Sequence, residues 1–269
     1  MKNYITLFGA AFLSSVLVSN TLEASDYQGM SAEEKGLAIA VESDNRTNGF
    51  GDSSANMKMI LTNKHGQSSE RELRVRSMEV ENDGDKSMTI FDTPGDVKGT
   101  ALLTYSHKVK DDDQWLYMPA LARVKRMSSS NKSGPFMGSE FAFEDLGSQE
   151  VEKYTWKYLK DEVVDGVDTY VLERIPVNKK SGYTKQVVWS HKAELYPLKM
   201  DFYDRKKSLL KTLTFSDYNQ YKDKFWRAHN MMMVNHQTGK KTELIWRNIN
   251  YDNGYNDSHF NKNSLKRAR

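Results

Sequence analysis

The sequence predicts a mainly β protein with a minor helical part (α+β), built as one large curved antiparallel sheet or open barrel of about eleven strands and at most about three helices. Three observations predict it. Apolar and polar residues alternate with period two almost without interruption from Ser54 onward. Turn signals rich in Gly, Pro, Asn and Asp separate the runs at hairpin spacing. Several strands are apolar on both faces, so other segments must cover at least part of each face.

Residues 1–24 have the features of a secretory signal peptide. Lys2 supplies a short positive segment, residues 4–18 are apolar, and Ala24 is a small residue at the expected cleavage point. The apolar run is shorter than the roughly 20 residues of a membrane-spanning helix. We therefore expect residues 1–24 to be removed on export and residues 25–269 to form a single domain.

The chain carries no cysteine and has little net charge. Its 39 Lys and Arg residues stand against 36 Asp and Glu, a net charge of +3. The lack of cysteine excludes disulfides, thiol nucleophiles and thiolate metal sites. In an exported chain of this length it favours a bacterial periplasmic protein. The small net charge argues against nucleic-acid binding.

A short amphipathic helix precedes the strands. In SAEEKGLAIAVESDN, Ser31 and Glu34 have the spacing of a capping box. Leu37, Ala40 and Val41 recur at helical intervals and form its expected apolar face.

Two blocks of strands follow the helix. In the first, the alternation begins at Met57, Met59 and Leu61 and continues through RELRVRSMEVE, DGDKSMTIF and GTALLTY. In the second, Asp165 and Gly166 mark a hairpin within KYTWKYLKDEVVDGVDTYVLERIPV. QVVWSHKAELYPLKMDFYDRKKSLLKTLTFSDY and NMMMVNHQTGKKTELIWRNINY continue the pattern, and a basic tail, NKNSLKRAR, comes last.

No residue pattern predicts an active site. The GSE around Ser139 lacks the second glycine of a nucleophile elbow, and Ser190 and His191 are strand neighbours that point to opposite faces. Glu144 and Asp145 have no partner pair for acid–base chemistry. The 6 histidines form no HExxH or HxH pattern, so neither a metal nor a cofactor is expected, and we expect no enzymatic activity.

The sequence offers apolar surface instead. Its 13 Met, 5 Trp, 14 Tyr and 11 Phe can line a deformable binding surface, because methionine adapts to varied partners. The alternative is that these side chains only fill the core. A cavity that buries about ten methylene groups, at roughly 0.8 kcal/mol each, would gain about 8 kcal/mol before ordering costs. That gain suits a reversible carrier.

The stretch WLYMPALARVKRMSSSNKSGPFMGSEFAFEDL joins an aromatic run to a basic one. In its opening strand Trp115 and Tyr117 point to one face, and Leu116 and Met118 point to the other. Arg123 and Lys125 share a face, and Arg126 lies on the opposite one. The candidates for contact with lipid head groups or an acidic partner are Arg123, Lys125, Arg126 and Lys132. The alternative is an edge strand whose charges prevent aggregation.

The motif DQWLYMPALARVKRMSSSNKSGPFMGSEFAFEDL is preceded by GDVKGTALLTYSHK and followed by VEKYTWKYLKDE, SGYTKQVVWSHKAELYPLKMDFYDRKKSLLKTLTFSDY and MVNHQTGKKTELIW. In this order the motifs resemble the bacterial outer membrane lipoprotein-sorting protein family, the LolA-like periplasmic proteins associated with RND-type exporters. The resemblance extends from SAEEKGLAIA to SLKRAR.

The resemblance implies an unclosed antiparallel β-barrel, or half-barrel, whose concave apolar face is covered by a few helices. Residues 128–138 would then form a mobile loop, and Phe136, Phe141 and Phe143 would be apolar plugs that fold over the concave face or move aside for cargo. The candidates for a hydrophobic cavity are Trp115, Tyr117, Met118, Phe136, Phe141, Phe143, Trp156, Trp189 and Trp246.

We expect a periplasmic carrier that binds a lipid, a lipoprotein acyl chain or another hydrophobic ligand and exchanges it with an inner-membrane RND-family exporter. Its other expected properties are transient membrane contact, a monomeric state and no nucleic-acid partner. The alternative is a periplasmic sensor or adaptor of an envelope transport or stress system. A hydrolase of envelope lipids is the third possibility.

Overall fold

The computed structural model describes residues 27–128 and 131–267. The expected signal peptide, residues 1–24, lies outside the described residues. Within the two described ranges, no helix combines the length and the apolar character needed to cross a membrane.

The described residues form thirteen strands and two α-helices, which confirms the predicted mainly β class. The helices are α1 (Ala32–Thr47) and α2 (Lys262–Arg267). The strands are β1 (Asp52–Thr62), β2 (Ser68–Met78), β3 (Lys86–Thr93), β4 (Ala101–Tyr105), β5 (Asp113–Met118), β6 (Arg123–Arg126), β7 (Tyr154–Val164), β8 (Val167–Pro176), β9 (Lys185–His191), β10 (Pro197–Tyr203), β11 (Leu209–Tyr221), β12 (Phe225–Asn235) and β13 (Lys241–Tyr251). Short 3-10 turns occur at Pro119–Leu121, Phe136–Gly138, Phe143–Asp145, Val151–Lys153 and Asp257–His259.

All strands belong to one antiparallel sheet, in the order β6-β5-β4-β3-β2-β1-β13-β12-β11-β10-β9-β8-β7. The chain runs outward from β1 to the edge strand β6, and returns from the other edge strand, β7, to β13 beside β1. The two edge strands do not pair with each other, so the sheet is an unclosed barrel. We call residues 131–150, which lie between β6 and β7, the crossing segment.

The sheet is wrapped around its inner face. One buried cluster joins Met59 of β1 and Leu116 of β5 to Val188 of β9 and Leu213 of β11. Strands from both halves of the sheet therefore meet over this core, with the crossing segment between them. We call this side of the sheet the inner face.

The outer face is covered only in part. Leu103 and Trp115 point outward and pack against Phe260 and Leu265, which belong to the C-terminal segment and helix α2. The basic tail thus carries one wholly buried apolar side chain, Leu265, and a second, Phe260, directly precedes it. This cover explains why β4 and β5 are apolar on both faces.

Helix α1 begins with the predicted capping box. Ser31 Oγ accepts from the Glu34 N–H, and the Glu34 carboxylate accepts from the Ser31 N–H at 2.8 Å. Of the expected apolar face, Ala40 is buried, but Leu37 is 48% and Val41 is 42% exposed, so the prediction is wrong for these two residues.

The buried face of α1 consists of Ile39 and two small residues, Gly36 and Ala40. At Gly36 the helix lies so close to β7 that a Cβ would stand 2.6 Å from the backbone carbon of Lys157. This face of α1 packs against the sheet because only glycine allows the backbones of α1 and β7 to approach so closely.

The strand count exceeds the expected number by two because short strands carry little alternation. Strand β6 has 4 residues, of which three are exposed, so its sequence RVKR reads as a charged rim. Its pairing with β5 puts Arg123 opposite Met118 and Lys125 opposite Leu116. Residues directly opposite each other share a face, so Arg123 and Lys125 lie on one side of β6 and Arg126 on the other, as the spacing predicts.

Candidate functional site

A cavity of about 850 Å³ lies between helix α1 and the inner face of strands β7 to β12. Because side chains alternate along each strand, the inner-face positions form a continuous apolar wall. That wall contains Leu172, Val188, Met200, Phe202, Leu213 and Met231. On the helix side, Ala40, Ser43 and Thr47 close the space. Its volume is in the range of known small-molecule sites, roughly 300–1,000 Å³.

A second cavity of about 420 Å³ adjoins the first. The two share Ser43, Leu195, Phe215 and Met231, so they meet beneath the C-terminal half of α1. The second cavity is rich in aromatic rings, including Trp226 and Trp246. Together the two cavities form one extended space beneath that half of the helix.

Acidic side chains surround one end of the larger cavity. Asp85 and Glu150 line it, together with Glu79 and Asp44. Burial raises the pKa of Asp85 to about 7, and the neighbouring Glu150 and Glu79 charges add to the rise. Burial also raises the pKa of Glu150. This end of the cavity therefore holds carboxyl groups that resist ionisation.

The loop between β2 and β3, which carries Asp83 and Asp85, is fastened by His107. The His107 Nδ1 lies 2.7 Å from Asp83 Oδ2, and the Lys108 N–H donates to the same carboxylate. Burial opposes ionisation of Asp83, but these hydrogen bonds outweigh it and lower its pKa to about 2. The two aspartates of one loop thus have pKa shifts of opposite sign.

Arg174 is a buried cation in the wall of the larger cavity. It is 5% exposed and lies on the inner face of β8, opposite Trp156 and Gln186. Its Nε donates to Gln186 Oε1 and its Nη2 to Gln149 Oε1 at 3.1 Å. The guanidinium carbon lies 4.2 Å from the centre of the Tyr154 ring. Burial lowers the pKa of the guanidinium.

The crossing segment fills the other end of the inner face with phenylalanine rings. Phe136 is fully buried and packs against Phe91 of β3 and against Phe143, at ring-centre distances of 5.7 and 5.4 Å. Phe141 is also buried and reaches the wall of the cavity. The three rings lie over the inner face, where the sequence predicts them.

Polar contacts fasten the crossing segment to strands in both halves of the sheet. Arg71 of β2 donates to the Met137 carbonyl at 2.6 Å, and Gln114 of β5 donates to the Phe143 carbonyl at 2.9 Å. Asn235 of β12 donates to the Glu140 carboxylate. Residues 131–138 of the expected loop are therefore held against the sheet at Met137, while residues 129 and 130 lie outside the described part of the chain.

Of the nine apolar candidates from the sequence, three line the cavities: Phe141, Trp156 and Trp246. Three more belong to the inner core or pack against it: Met118, Phe136 and Phe143. The other three, Trp115, Tyr117 and Trp189, are on the outer face. Trp115 and Tyr117 pack in the cluster beneath α2. Trp189 pairs with Val171 and donates to Glu162.

The structure thus corrects the expected position of Trp115, Tyr117 and Trp189. They belong to strands that are apolar on both faces, so composition alone does not distinguish the inner side chains from the outer ones. The pairing with neighbouring strands determines which face a side chain occupies. Trp115 is opposite Leu103, which packs against the C-terminal segment on the outer face.

The basic candidates lie at the β6 edge, away from the cavity wall. Arg123, Lys125 and Arg126 are exposed, and Arg126 pairs with Asp113. Lys132 is half-buried and pairs with Asp111 at 3.1 Å. Arg123 and Lys125 therefore present their charges to the surroundings at the edge of the barrel.

The serine, histidine and acidic residues that could suggest catalysis are engaged in structural contacts. The Ser190 hydroxyl donates to the Leu195 carbonyl at 2.8 Å, while the His191 ring packs at a tilt against the Tyr196 ring. Glu144 accepts from Ser181 and Gly182. Across residues 27–128 and 131–267, no group of three or more His, Asp and Glu side chains is arranged to hold a metal ion.

The sequence did not identify Arg174, the cation of the cavity wall, or most of the apolar residues that line the cavity. The signal for Arg174 is visible in retrospect, because Tyr170, Leu172 and Arg174 share one face of a strand. An arginine in line with two apolar residues on a buried face requires a special environment. Met200, Leu213 and Met231 likewise occupy inner-face positions, on strands that are neighbours in the sheet.

Comparisons with known proteins agree with this architecture. A family model described as an uncharacterized protein family matches residues 83–267. No curated protein matches the chain. Among solved structures, a LolA superfamily protein from Nitrosomonas europaea is 20% identical, with a TM-score of 0.69 over 85% of this chain and 98% of that one. At that identity the likeness shows the fold alone.

Two solved structures are much more similar in sequence. A DUF1329 family protein from Desulfovibrio piger is 32% identical, with a TM-score of 0.83 over 87% of this chain and 99% of that one. A candidate outer membrane lipoprotein-sorting protein domain from Vibrio parahaemolyticus is 61% identical, with a TM-score of 0.86 over the same shares of the two chains. These identities, with the matching family model, show that the chain belongs to the family of outer membrane lipoprotein-sorting (DUF1329) proteins.

Proposed function

We propose that this protein is a non-enzymatic periplasmic carrier for a hydrophobic ligand, either a lipid, a lipoprotein acyl chain or a similar molecule. The cavity between α1 and the sheet is the observation that carries the proposal. The mature protein would be residues 25–269, a single domain freed from the signal peptide. It would transfer its cargo between an inner-membrane exporter of the RND superfamily and the outer membrane. The name of the Vibrio relative supports the link to lipoprotein sorting.

The cavity wall suits an alkyl chain because its side chains are both apolar and adaptable. Met200 and Met231 line it, and methionine adjusts to ligands of different shape. Burial of about ten methylene groups gains roughly 8 kcal/mol before the costs of association and ordering are subtracted. A gross gain of that size suits a ligand that the carrier must release.

Helix α1 is the element that would move to admit cargo. It buries only Gly36, Ile39 and Ala40 among its residues, and its contacts are concentrated on β7. Elements with few buried apolar contacts open most readily. The crossing segment, in contrast, is fastened to several strands and would form the fixed floor.

The β6 edge would contact a membrane or a partner. Arg123 and Lys125 present charge there, and Leu121, which is 65% exposed, lies beside them. A basic edge with one exposed apolar side chain suits transient contact with anionic head groups. The proposed carrier would act as a monomer.

The test is native mass spectrometry of residues 25–269 purified from the periplasm without detergent, followed by solvent extraction. We expect a discrete extra mass that extraction releases as a lipid. A bare protein mass that persists after incubation with envelope lipids would contradict the carrier. A stable stoichiometric complex with another protein would favour a periplasmic sensor or adaptor instead.

A pair of tryptophan substitutions ties the lipid to the cavity. Val188 is buried in the cavity wall, so Val188→Trp should fill part of the space and reduce the fraction of protein that carries the extra mass. Val163→Trp is the control, because Val163 is 63% exposed on the edge strand β7. Equal lipid content in both variants would place the lipid elsewhere on the protein.

A further inference from the structure

The larger cavity contains a buried positive charge that no carboxylate neutralises. Arg174 is 5% exposed, and among the described residues it forms no ion pair with Asp or Glu. Asp145, whose negative charge favours the charged form of Arg174, is already paired with Lys211 at 2.8 Å. A buried charge without a counter-charge is costly, and here it faces a space large enough for a ligand.

The surroundings hold the Arg174 side chain in place and leave donors unused. Gln186 and Gln149 accept from Nε and Nη2, whereas Nη1 takes part in neither bond. The guanidinium has more N–H donors than these two bonds require. Tyr154 and Trp156 lie against it at 4.2 and 5.6 Å from their ring centres. A planar fork with fixed orientation and free donors is suited to a carboxylate or phosphate.

We infer that Arg174 receives the acidic head of an anionic amphiphile whose alkyl chain lies along the apolar wall of the cavity. The inference rests on the proposed carrier function and names the class of its ligand. The head would be a carboxylate or a phosphate with one alkyl chain. Leu172 and Val188, next to Arg174 on the inner face, would contact the first methylene groups.

The acidic end of the cavity limits the charge of that ligand. Asp44, Glu79, Asp85 and Glu150 line the same space and repel anions. Burial raises the pKa of Asp85 to about 7 and also raises the pKa of Glu150, so part of this repulsion is relieved by protonation. Among the described residues that line the cavity, Arg174 is the one buried cation, so a single negative charge matches it and a highly charged head group does not.

The experiment compares a fluorescent polyene fatty acid with its methyl ester, which has the same chain but no charge. Delipidated residues 25–269 are titrated with each probe as wild type, Arg174→Gln, Arg174→Lys and Arg76→Gln. Arg76 is the control because it is a half-buried arginine that pairs with Met88 of the outer face, lies against the Tyr255 ring and lines neither cavity. Thermal unfolding of each variant accompanies the titrations. Competition by oleate and by a lysophosphatidate then separates a carboxylate head from a phosphate head.

We expect wild type to bind the acid about tenfold more tightly than the ester, as one charge-assisted contact predicts. Arg174→Gln should remove that preference by weakening binding of the acid alone, Arg174→Lys should retain part of it, and Arg76→Gln should leave it unchanged. Equal affinity of wild type for acid and ester would overturn the inference while the carrier function stands. So would an equal loss of affinity for both probes in Arg174→Gln, or the same loss of preference in Arg76→Gln. Should Arg174→Gln fail to fold, the inference is tested by the preference of wild type for the acid and by the part of that preference that Arg174→Lys retains. Absence of binding by either probe would overturn both the inference and the carrier.

Discussion

Lys211 and Asp145 form an ion pair in the interior of the protein, with Nζ 2.8 Å from Oδ2 and side chains only 4% and 9% exposed. Lys211 belongs to β11 and Asp145 to the crossing segment, so the pair fastens that segment to the sheet. Nζ also donates to the Glu140 carbonyl, and the Tyr183 hydroxyl donates to the Asp145 carboxylate. Burial raises the pKa of Tyr183 well above its ordinary value, and the Asp145 charge adds to the rise. Tyr183 therefore remains a neutral donor.

Replacement of Lys211 by Met should destabilise the protein strongly. The Asp145 carboxylate would remain buried without its counter-charge, which typically costs about 3–5 kcal/mol. Lys192→Met is the control: Lys192 pairs with Asp161 near the surface, where the side chains are 32% and 48% exposed, and loss of such a pair costs less than about 1 kcal/mol. Urea unfolding measures both losses. Equal small losses would mean that the interior pair stabilises no more than a surface pair.

A comparison of Phe141→Ala with Phe143→Ala distinguishes the effect of core packing from the effect of ligand contact. Both rings are buried, at 3% and 7% exposure, so each Phe→Ala replacement should destabilise the protein by about 3–5 kcal/mol. Only Phe141 reaches the cavity wall. Phe141→Ala should therefore also shorten the residence time of a bound lipid, whereas Phe143→Ala should not. Dissociation of a fluorescent lipid, measured below the unfolding temperature of each variant, checks the difference, and identical rates would make both rings core residues only.

The alternation of side chains was enough to predict the fold class. Period-two runs such as the one at Met57 and Met59 became β1, and the Asp165-Gly166 turn became the hairpin between β7 and β8. An unclosed sheet also follows from the many strands and few helices. Register and strand order depend on pairing between residues far apart in sequence, such as Met57 with Trp246, and no local pattern contains that information.

The site was predicted only in part, because a residue belongs to it only if its side chain lies on the inner face of the sheet. Trp115 and Leu116 are neighbours on β5, yet one packs beneath α2 and the other in the inner core. Where both faces are apolar, composition does not distinguish them. The same limit applies to α1, where small residues at Gly36 and Ala40 pack against the sheet and the larger Leu37 does not.

Replacement of Gly36 by Ala should reverse the usual effect of this substitution in a helix. Alanine normally stabilises a helix relative to glycine by about 1 kcal/mol. Here the new Cβ would stand 2.6 Å from backbone atoms of Lys157 and Tyr158, so α1 must move away from β7 at a cost of about 1–3 kcal/mol. Leu37→Ala, at an exposed position of the same helix, is the control with little effect. Amide hydrogen exchange within Ala32–Thr47 should accelerate in Gly36→Ala alone, and slower exchange there would refute the close approach.

The two aspartates of the loop between β2 and β3 should change the pH dependence of stability in opposite directions. Burial raises the pKa of Asp85 from 3.8 to about 7, so the folded state binds the proton more tightly than the unfolded state does. Its stabilising effect is complete below about pH 4 and is lost as the pH rises toward 7. Each unit of pKa difference corresponds to about 1.4 kcal/mol. Asp85→Asn, which remains neutral, should therefore be more stable than wild type above pH 7 and lose less stability between pH 4 and 7.

The pKa of Asp83, in the same loop, is shifted in the opposite direction. Its pKa falls from 3.8 to about 2 because the hydrogen bonds from His107 and the backbone outweigh burial. The stabilisation it gives is present above pH 4 and lost as the pH falls toward 2, so Asp83→Asn should flatten the acid limb of the profile and leave the limb between pH 4 and 7 unchanged. Urea unfolding at intervals from pH 2 to 8 distinguishes the two variants. A wild-type profile in which stability increases from pH 4 to 7 and Asp85→Asn makes no difference would show that Asp85 ionises normally, and that the acidic end of the cavity is fully charged at neutral pH.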